Sequence, residues 1–328
     1  MDLLNSYQAV VWPFIENFLS ENLPSGFHQE ITMDYPRRKG KYLRPSLVLI
    51  TAGAMGFDPH RPAAIATAAA IQISEDWILN HDDIEDDSLE RRGAPALHRR
   101  FGIPLAINAG DTLQALNWQL IYRLKNATIF DEFSRILNLT LLGQTIELKW
   151  IRDQNFNLNL KDVYRIIESK TCYYTIAGPM RLGAILAGAT PQQLQILYKF
   201  GLYLGKSYQI IDDYLDLTSD FGGQKKQIGN DLYEGKRTVI LVDLLRKDKD
   251  SKLLSILSKS REEKTKEEIN FLLERIKKAG SLEFAYSLAN KFANKAKKIF
   301  NQELTFLVHQ PYRDQLAQVI DFVVNRRQ

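Results

Sequence analysis

Apolar residues recur at helical spacing through nearly the whole chain, and no stretch alternates strictly between apolar and polar as a half-buried strand would. Residues 3–19 carry Leu3, Leu4, Val10, Val11, Phe14, Ile15 and Phe18 at that spacing and stop before Pro24-Ser25-Gly26, with Pro13 a candidate kink. The next apolar stretch, 43–55, ends at Gly56, and 63–87 follows it, rich in alanine and isoleucine. After a loop at Gly93-Ala94-Pro95 the pattern predicts helices over 103–125, 131–152, 160–171 and 175–186. Pro191 suits the first turn of a long helix running through Leu217; Gly222-Gly223 opens a polar loop, and 233–246 resumes the helical pattern. From Arg246 to Lys278 charge dominates, yet Leu253, Leu254, Ile256, Leu257, Ile269, Leu272 and Leu273 recur through it. That pattern predicts a pair of peripheral, solvated helices rather than a binding arm. Residues 282–326 return to amphipathic helix, interrupted at Pro311. With no repeat and no linker, 1–328 reads as a single all-α domain.

Composition narrows the function classes. The chain has 328 residues, 45% hydrophobic and 25% charged, enough for a sizeable core. Its formal charge of +4 gives no reason to expect nucleic acid as a partner. No uncharged apolar run approaches the ~20 residues of a membrane span. Cys172 is the only cysteine, so an internal disulfide is excluded, and a cytoplasmic location is the expectation.

The candidate chemistry is acidic. Residues 80–98 read NHDDIEDDSLERRGAPALH, with Asp82, Asp83 and Asp86 forming DDxxD. Helical spacing would place Asp82 over Asp86 and Asp83 over Asp87, an arrangement that repels itself unless a cation lies between. Such a motif alone also suits a solvated helix face, but it has an echo. QIIDDYLD supplies Asp212, Asp213 and Asp216 among apolar neighbours, where carboxylates must be paired, protonated or metal-bound. Two such clusters facing one another across a cavity would hold Mg²⁺ around a diphosphate. Basic residues stand near them: Lys41 and Arg44 in GKYLRP, Arg91-Arg92, Lys170-Thr171, Lys225-Lys226 and Lys236. Together these suggest two phosphate-bearing substrates, one held through metal on carboxylates and one held directly by Arg and Lys.

The motifs GKYLRP, HDDIEDDSLERRG, SKT, GKSYQIIDDYLD and IGNDLYEGKRT, in that order over roughly residues 38–240, resemble those of the trans-isoprenyl diphosphate synthases, the polyprenyl synthetase family. The resemblance implies an all-α isoprenoid synthase fold with a deep central cavity, a homodimer, and condensation of isopentenyl diphosphate with an allylic diphosphate. It implies three Mg²⁺ held by Asp82, Asp86 and Asp212, with Asp83, Asp213 and Asp216 completing the motifs. Arg91, Lys170, Thr171, Gln209, Lys226 and Lys236 match positions that hold the allylic diphosphate. Lys41, Arg44 and Arg92 match those that hold isopentenyl diphosphate. One position departs. Where the family usually has His or Gln, this chain has Glu75, which either turns to a cation such as Lys41 or Arg44 or marks a lost contact. His98 is a further polar candidate.

Trp77 and Ile78, five and four residues before Asp82, match the positions that set product length. An aromatic followed by an aliphatic residue implies geranylgeranyl diphosphate (C20), with farnesyl diphosphate (C15) the runner-up. A class I terpene cyclase or a non-catalytic prenyltransferase subunit would bear related motifs. The intact second DDxxD and GKYLRP count against the first, and the completeness of both acidic clusters against the second.

Overall fold

The computed structural model describes residues 2–218 and 228–324. Lys225, Lys226 and Gly222-Gly223 lie outside the described residues, as does the end of the chain from Asn325. In chain order the helices are α1 (Asp2–Asn22), α2 (Phe27–Thr32), α3 (Asp34–Arg38), α4 (Leu43–Ala54), α5 (Pro62–Glu85), α6 (Leu97–Phe101), α7 (Ile103–Arg123), α8 (Ala127–Arg152), α9 (Leu160–Ile166) and α10 (Gly178–Leu186). They continue with α11 (Pro191–Thr218), α12 (Asn230–Glu234), α13 (Val239–Lys247), α14 (Ser251–Leu257), α15 (Lys266–Lys278), α16 (Ser281–Gln302) and α17 (Tyr312–Val324). A π-helix, Ile167–Ala177, joins α9 to α10. Among the described residues the only strands are β1 (Glu90–Arg91) and β2 (Ala94–Pro95), so the protein is all-α.

Contacts divide the chain into two compact units, each drawn from three stretches of sequence. The first comprises 1–134, 178–194 and 306–316. At its centre α5 packs on α7 and α4, and α4 on α10. Nearly every residue of α4 is buried, and α5 buries an alanine-rich run (Ala64, Ala66, Ala68, Ala69, Ala70) before Ile71, Ile73 and Trp77. Small side chains let backbones approach. At Gly183 of α10 an added Cβ would fall 2.2 Å from the Val48 carbonyl oxygen of α4. Pro62 and Pro104 occupy first-turn positions of α5 and α7, where their missing N–H costs nothing.

The second unit comprises 135–177, 195–305 and 317–328. Its core joins Ile210, Ile211 and Leu215 of α11 to Val239–Leu244 of α13. Leu253, Ile256 and Leu257 of α14, Ile269, Leu272 and Ile276 of α15 and Ala285, Ala289 and Phe292 of α16 complete it. The charge-rich stretch is thus two amphipathic helices that bury their apolar faces. Side-chain caps fix their starts: Asp250 accepts from the Lys252 N–H, while Thr265 and Glu268 form a capping box.

Two predicted boundaries differ most. The break expected between Thr171 and Thr175 is the middle of the π-helix, all of whose residues from Cys172 to Ala177 are buried. The helix expected from Tyr233 begins at Val239, because Gly235 takes a left-handed conformation (φ 74°) and ends the short α12 first.

Candidate functional site

In the first unit the acidic motif closes α5. Glu85 is the last helical residue, Asp86 is the C-cap, and the Asp86 N–H still reaches the Asp82 carbonyl at 2.8 Å. Asp82 and Asp86 therefore share the final turn as expected. Asp83 and Asp87 do not stack, because Asp87 is left-handed (φ 52°) and turns aside to pair with Arg99. Carboxylates here add to the negative end of the helix dipole, so the turn favours a cation.

Asp83 takes a different role from its neighbours. It is fully buried, and its oxygens accept from Arg91 Nε at 3.0 and 3.1 Å, from Arg91 Nη2, and from the Tyr35 hydroxyl at 2.5 Å. The Tyr35 oxygen accepts in turn from the Leu97 N–H at 3.1 Å. Burial first, and then the Asp83 charge, push the Tyr35 hydroxyl far above its ordinary pKa. Asp83 thus anchors Arg91, which stands 3.8 Å from Asp82.

The chain reverses immediately after. Arg92 and Gly93, both with positive φ (52° and 75°), form the two-residue turn between β1 and β2, in the register Arg91 to Ala94. Arg38 of α3 pins this hairpin, donating to the carbonyls of Arg91 (2.9 Å), Ala94 (3.3 Å) and Pro95 (2.9 Å). Arg92 turns back to α5: Nη1 donates to Asp76 at 2.7 Å and to the Tyr35 carbonyl at 2.9 Å. Glu75 bridges two cations, Arg44 at 3.1 Å and Arg92 at 3.5 Å. Burial works to raise the Glu75 carboxyl, but the guanidiniums of Arg44 and Arg92 more than offset it and hold it below the carboxylate range. Asp76 is pushed up to about 6, by burial first and by Glu75 beside it, against the pull of Arg92. Arg44 is thus the partner anticipated for Glu75, and Arg92 a second one.

Trp77 is buried, with its ring edge-on to His81 at 5.8 Å, while Ile78 is half-buried. His98 is buried, with Nε2 3.8 Å from Asp87, and burial lowers its pKa. It belongs to the surroundings of Asp87.

In the second unit the acidic motif lies in the last two turns of α11. Asp213 and Asp216 are buried, and Asp213 accepts from the Gln209 amide at 2.7 Å. Gln209 in turn accepts from the Thr171 hydroxyl at 2.8 Å. Lys170 pairs with Glu147 at 2.8 Å. Lys170 and Thr171 both sit in the π-helix, an element that often marks functional sites. Asp216 accepts from the Asp231 N–H at 3.0 Å, and Lys236 lies 3.7 Å from Asp231 and 2.6 Å from Glu234. Asp213, Asp231 and Lys236 line one small pocket with Leu217 and Thr238. Burial raises Asp213 to about 8, with Asp212 and Glu147 adding to it, and raises Asp231 with help from Asp216. Acidic groups crowded this far out of water call for a cation. The candidate ligands offer oxygen only, as Mg²⁺ prefers, an ion usually completed by water and phosphate oxygens.

Sequence reasoning missed Tyr35, Arg38 and Asp76 in one unit and Glu147, Asp231 and Glu234 in the other. Asp76 carried a signal, an acid between Ile73 and Trp77 on a helix otherwise apolar there. Tyr35 and Arg38 carried none.

The sequence profile of the polyprenyl synthetase family matches residues 27–276. The chain is 32% identical to a short chain isoprenyl diphosphate synthase of Methanothermobacter thermautotrophicus, over 99% of this chain and 98% of that protein. It is 29% identical to an octaprenyl diphosphate synthase of Escherichia coli, over 88% and 86%. The structure of a polyprenyl synthase from Caulobacter crescentus, complexed with calcium and isoprenyl diphosphate, superposes with a TM-score of 0.86 at 25% identity, over 100% and 98%.

Proposed function

The chain belongs to the polyprenyl synthetase family and is a prenyltransferase, and from that premise we propose that it condenses isopentenyl diphosphate with an allylic diphosphate to give geranylgeranyl diphosphate. The observation that carries this reading is the end of α5, where Asp82 and Asp86 share a turn and buried Asp83 fixes Arg91 beside them. A carboxylate pair with a held guanidinium suits a metal-bound diphosphate.

Asp82, Asp86 and Asp212 would hold Mg²⁺, three ions in all, and Asp213 and Asp216 would support that set. When bound, Mg²⁺ stabilises negative charge on the diphosphate oxygens. Arg91, Lys170, Thr171, Gln209 and Lys236, with Lys226, hold the allylic diphosphate and stabilise the charge that grows as its C–O bond breaks. Lys41, Arg44 and Arg92 hold isopentenyl diphosphate, whose double bond attacks the allylic cation. That attack leaves a cation at C3 of the isopentenyl unit, and loss of a C2 proton to the departed diphosphate closes the new C2–C3 double bond. Apolar helix faces exclude water from the cation.

Trp77 supports the C20 product. It is a buried, rigid ring held edge-on to His81, five residues (about 7–8 Å of helix rise) from Asp82. A homodimer is supported by α7 and the start of α8, which leave Ile103, Ile107, Tyr122 and Phe130 exposed. No described helix is long and apolar enough to cross a membrane, and the single, buried Cys172 suits a reducing cytoplasm. Incubating the purified protein with Mg²⁺, isopentenyl diphosphate and an allylic diphosphate tests the proposal. Incorporation into a linear C20 diphosphate is expected; a cyclised product, or none, would refute it.

A further inference from the structure

The isopentenyl diphosphate subsite of that reading contains one group whose charge is wrong for a direct contact. Glu75, on α5, is ionised and reaches Arg44 of α4 through one oxygen (3.1 Å) and Arg92 of the β1–β2 turn through the other (3.5 Å). Two guanidiniums from separate elements repel one another unless an anion stands between them. Arg92 is held further by Asp76 (2.7 Å) and the Tyr35 carbonyl (2.9 Å). Its guanidinium also lies against Gly40, where an added Cβ would come within 2.8 Å of Nη2. Gly40 precedes Lys41, and φ is positive on either side of that pair, at Lys39 (52°) and Tyr42 (56°). Two non-glycine residues in that conformation store strain, which surrounding contacts must hold. The side chains of Arg44 and Arg92 keep 19% and 12% of their surface open, so a ligand oxygen can still reach them.

We propose that Glu75 is a positioning residue, a bridging carboxylate that sets the spacing of Arg44 and Arg92, and through Arg92 the Gly40-Lys41 loop, for the diphosphate of the non-allylic substrate. It acts through those cations and touches no substrate. This rests on the assignment of Lys41, Arg44 and Arg92 to that substrate. With the clamp gone, each guanidinium must be ordered by the ligand itself, and affinity for that ligand alone suffers.

Steady-state kinetics on the full chain test this, varying each substrate in turn. Glu75→Ala and the similarly sized Glu75→Gln are expected to raise KM for isopentenyl diphosphate by about tenfold or more, with kcat and the allylic KM changed by less than about twofold. Glu75→Asp should recover part of the loss. In an Arg44→Ala background Glu75→Ala should add less than about twofold, because the clamp has already lost one jaw. An unchanged or lowered KM for isopentenyl diphosphate in Glu75→Gln would overturn the proposal. So would a parallel rise in both KM values with a fall in Tm, the mark of a merely structural residue. If Arg44→Ala itself leaves that KM unaltered, the subsite assignment fails, and the proposal with it.

Discussion

Replacing Asp83 isolates the contact on which the first acidic cluster depends. Asp83→Ala removes a fully buried carboxylate that accepts from Arg91 Nε, Arg91 Nη2 and the Tyr35 hydroxyl. Breaking a buried pair leaves a charge and a hydroxyl without their acceptor, at a cost of about 3–5 kcal/mol. Arg91 is 28% exposed and has Asp82 3.8 Å away, so it recovers some stabilisation from water and from that neighbour. The lower end, about 3 kcal/mol, is therefore expected, or roughly 6 °C in Tm at about 2 °C per kcal/mol for a chain of this size. Asp83→Asn keeps the volume and an acceptor for Tyr35 but loses the charge, and should cost about 1.5–3 kcal/mol. Turnover should fall in both variants, because Arg91 is no longer held beside Asp82. Thermal unfolding followed by circular dichroism, paired with kcat, reads both effects. A Tm for Asp83→Ala within about 1 °C of the parent would refute the anchoring role.

Other expectations follow from packing and charge. Trp77→Ala should lengthen the product by at least one C5 unit, read by chromatography of the dephosphorylated products; an unchanged distribution would show that Trp77 does not set product length. Gly205→Val should lower Tm by several degrees, because a Cβ there would fall 2.5 Å from the Cys172 Cα. Asp76, raised to about 6 in the folded protein from 3.8, contributes stability that is full below pH 4 and lost as pH rises through 6. A shift of that size is worth about 3 kcal/mol, so the Tm difference between parent and Asp76→Asn should change across pH 4–7; a constant difference would contradict the buried, proton-holding Asp76.

The helices that carry the site were legible because their apolar faces are long and regular. In α4, α5, α7, α8 and α11 periodicity alone placed the elements, and Pro191 marked the start of α11 where the structure has it. The π-helix was not legible, since its run of Thr171, Tyr173, Tyr174 and Thr175 reads as a break from helical preference. What sustains it is close packing by α11. An added Cβ at Gly201 would lie 2.6 Å from the Ala177 Cα, and one at Gly205 would meet Cys172. The candidate ligands were readable as motifs, but their division of labour was not. Nothing in HDDIEDD says that Asp83 faces inward to Tyr35 while Asp87 leaves the helix, because both depend on a left-handed residue and on the Tyr35 side chain. Glu75 was visible as a misplaced charge, and only the fold showed that it holds two arginines rather than one.

Two acidic clusters, 130 residues apart (Asp82 to Asp212), are proposed to serve one ionisation step. Turnover at saturating Mg²⁺ and saturating substrates in Asp82→Ala, Asp212→Ala and the double variant tests it most directly. Each single change is expected to lower kcat by roughly a hundredfold or more, and the double variant should be about as slow as the slower single, since groups acting as a unit are not additive. Near-parental turnover in either single variant would contradict it.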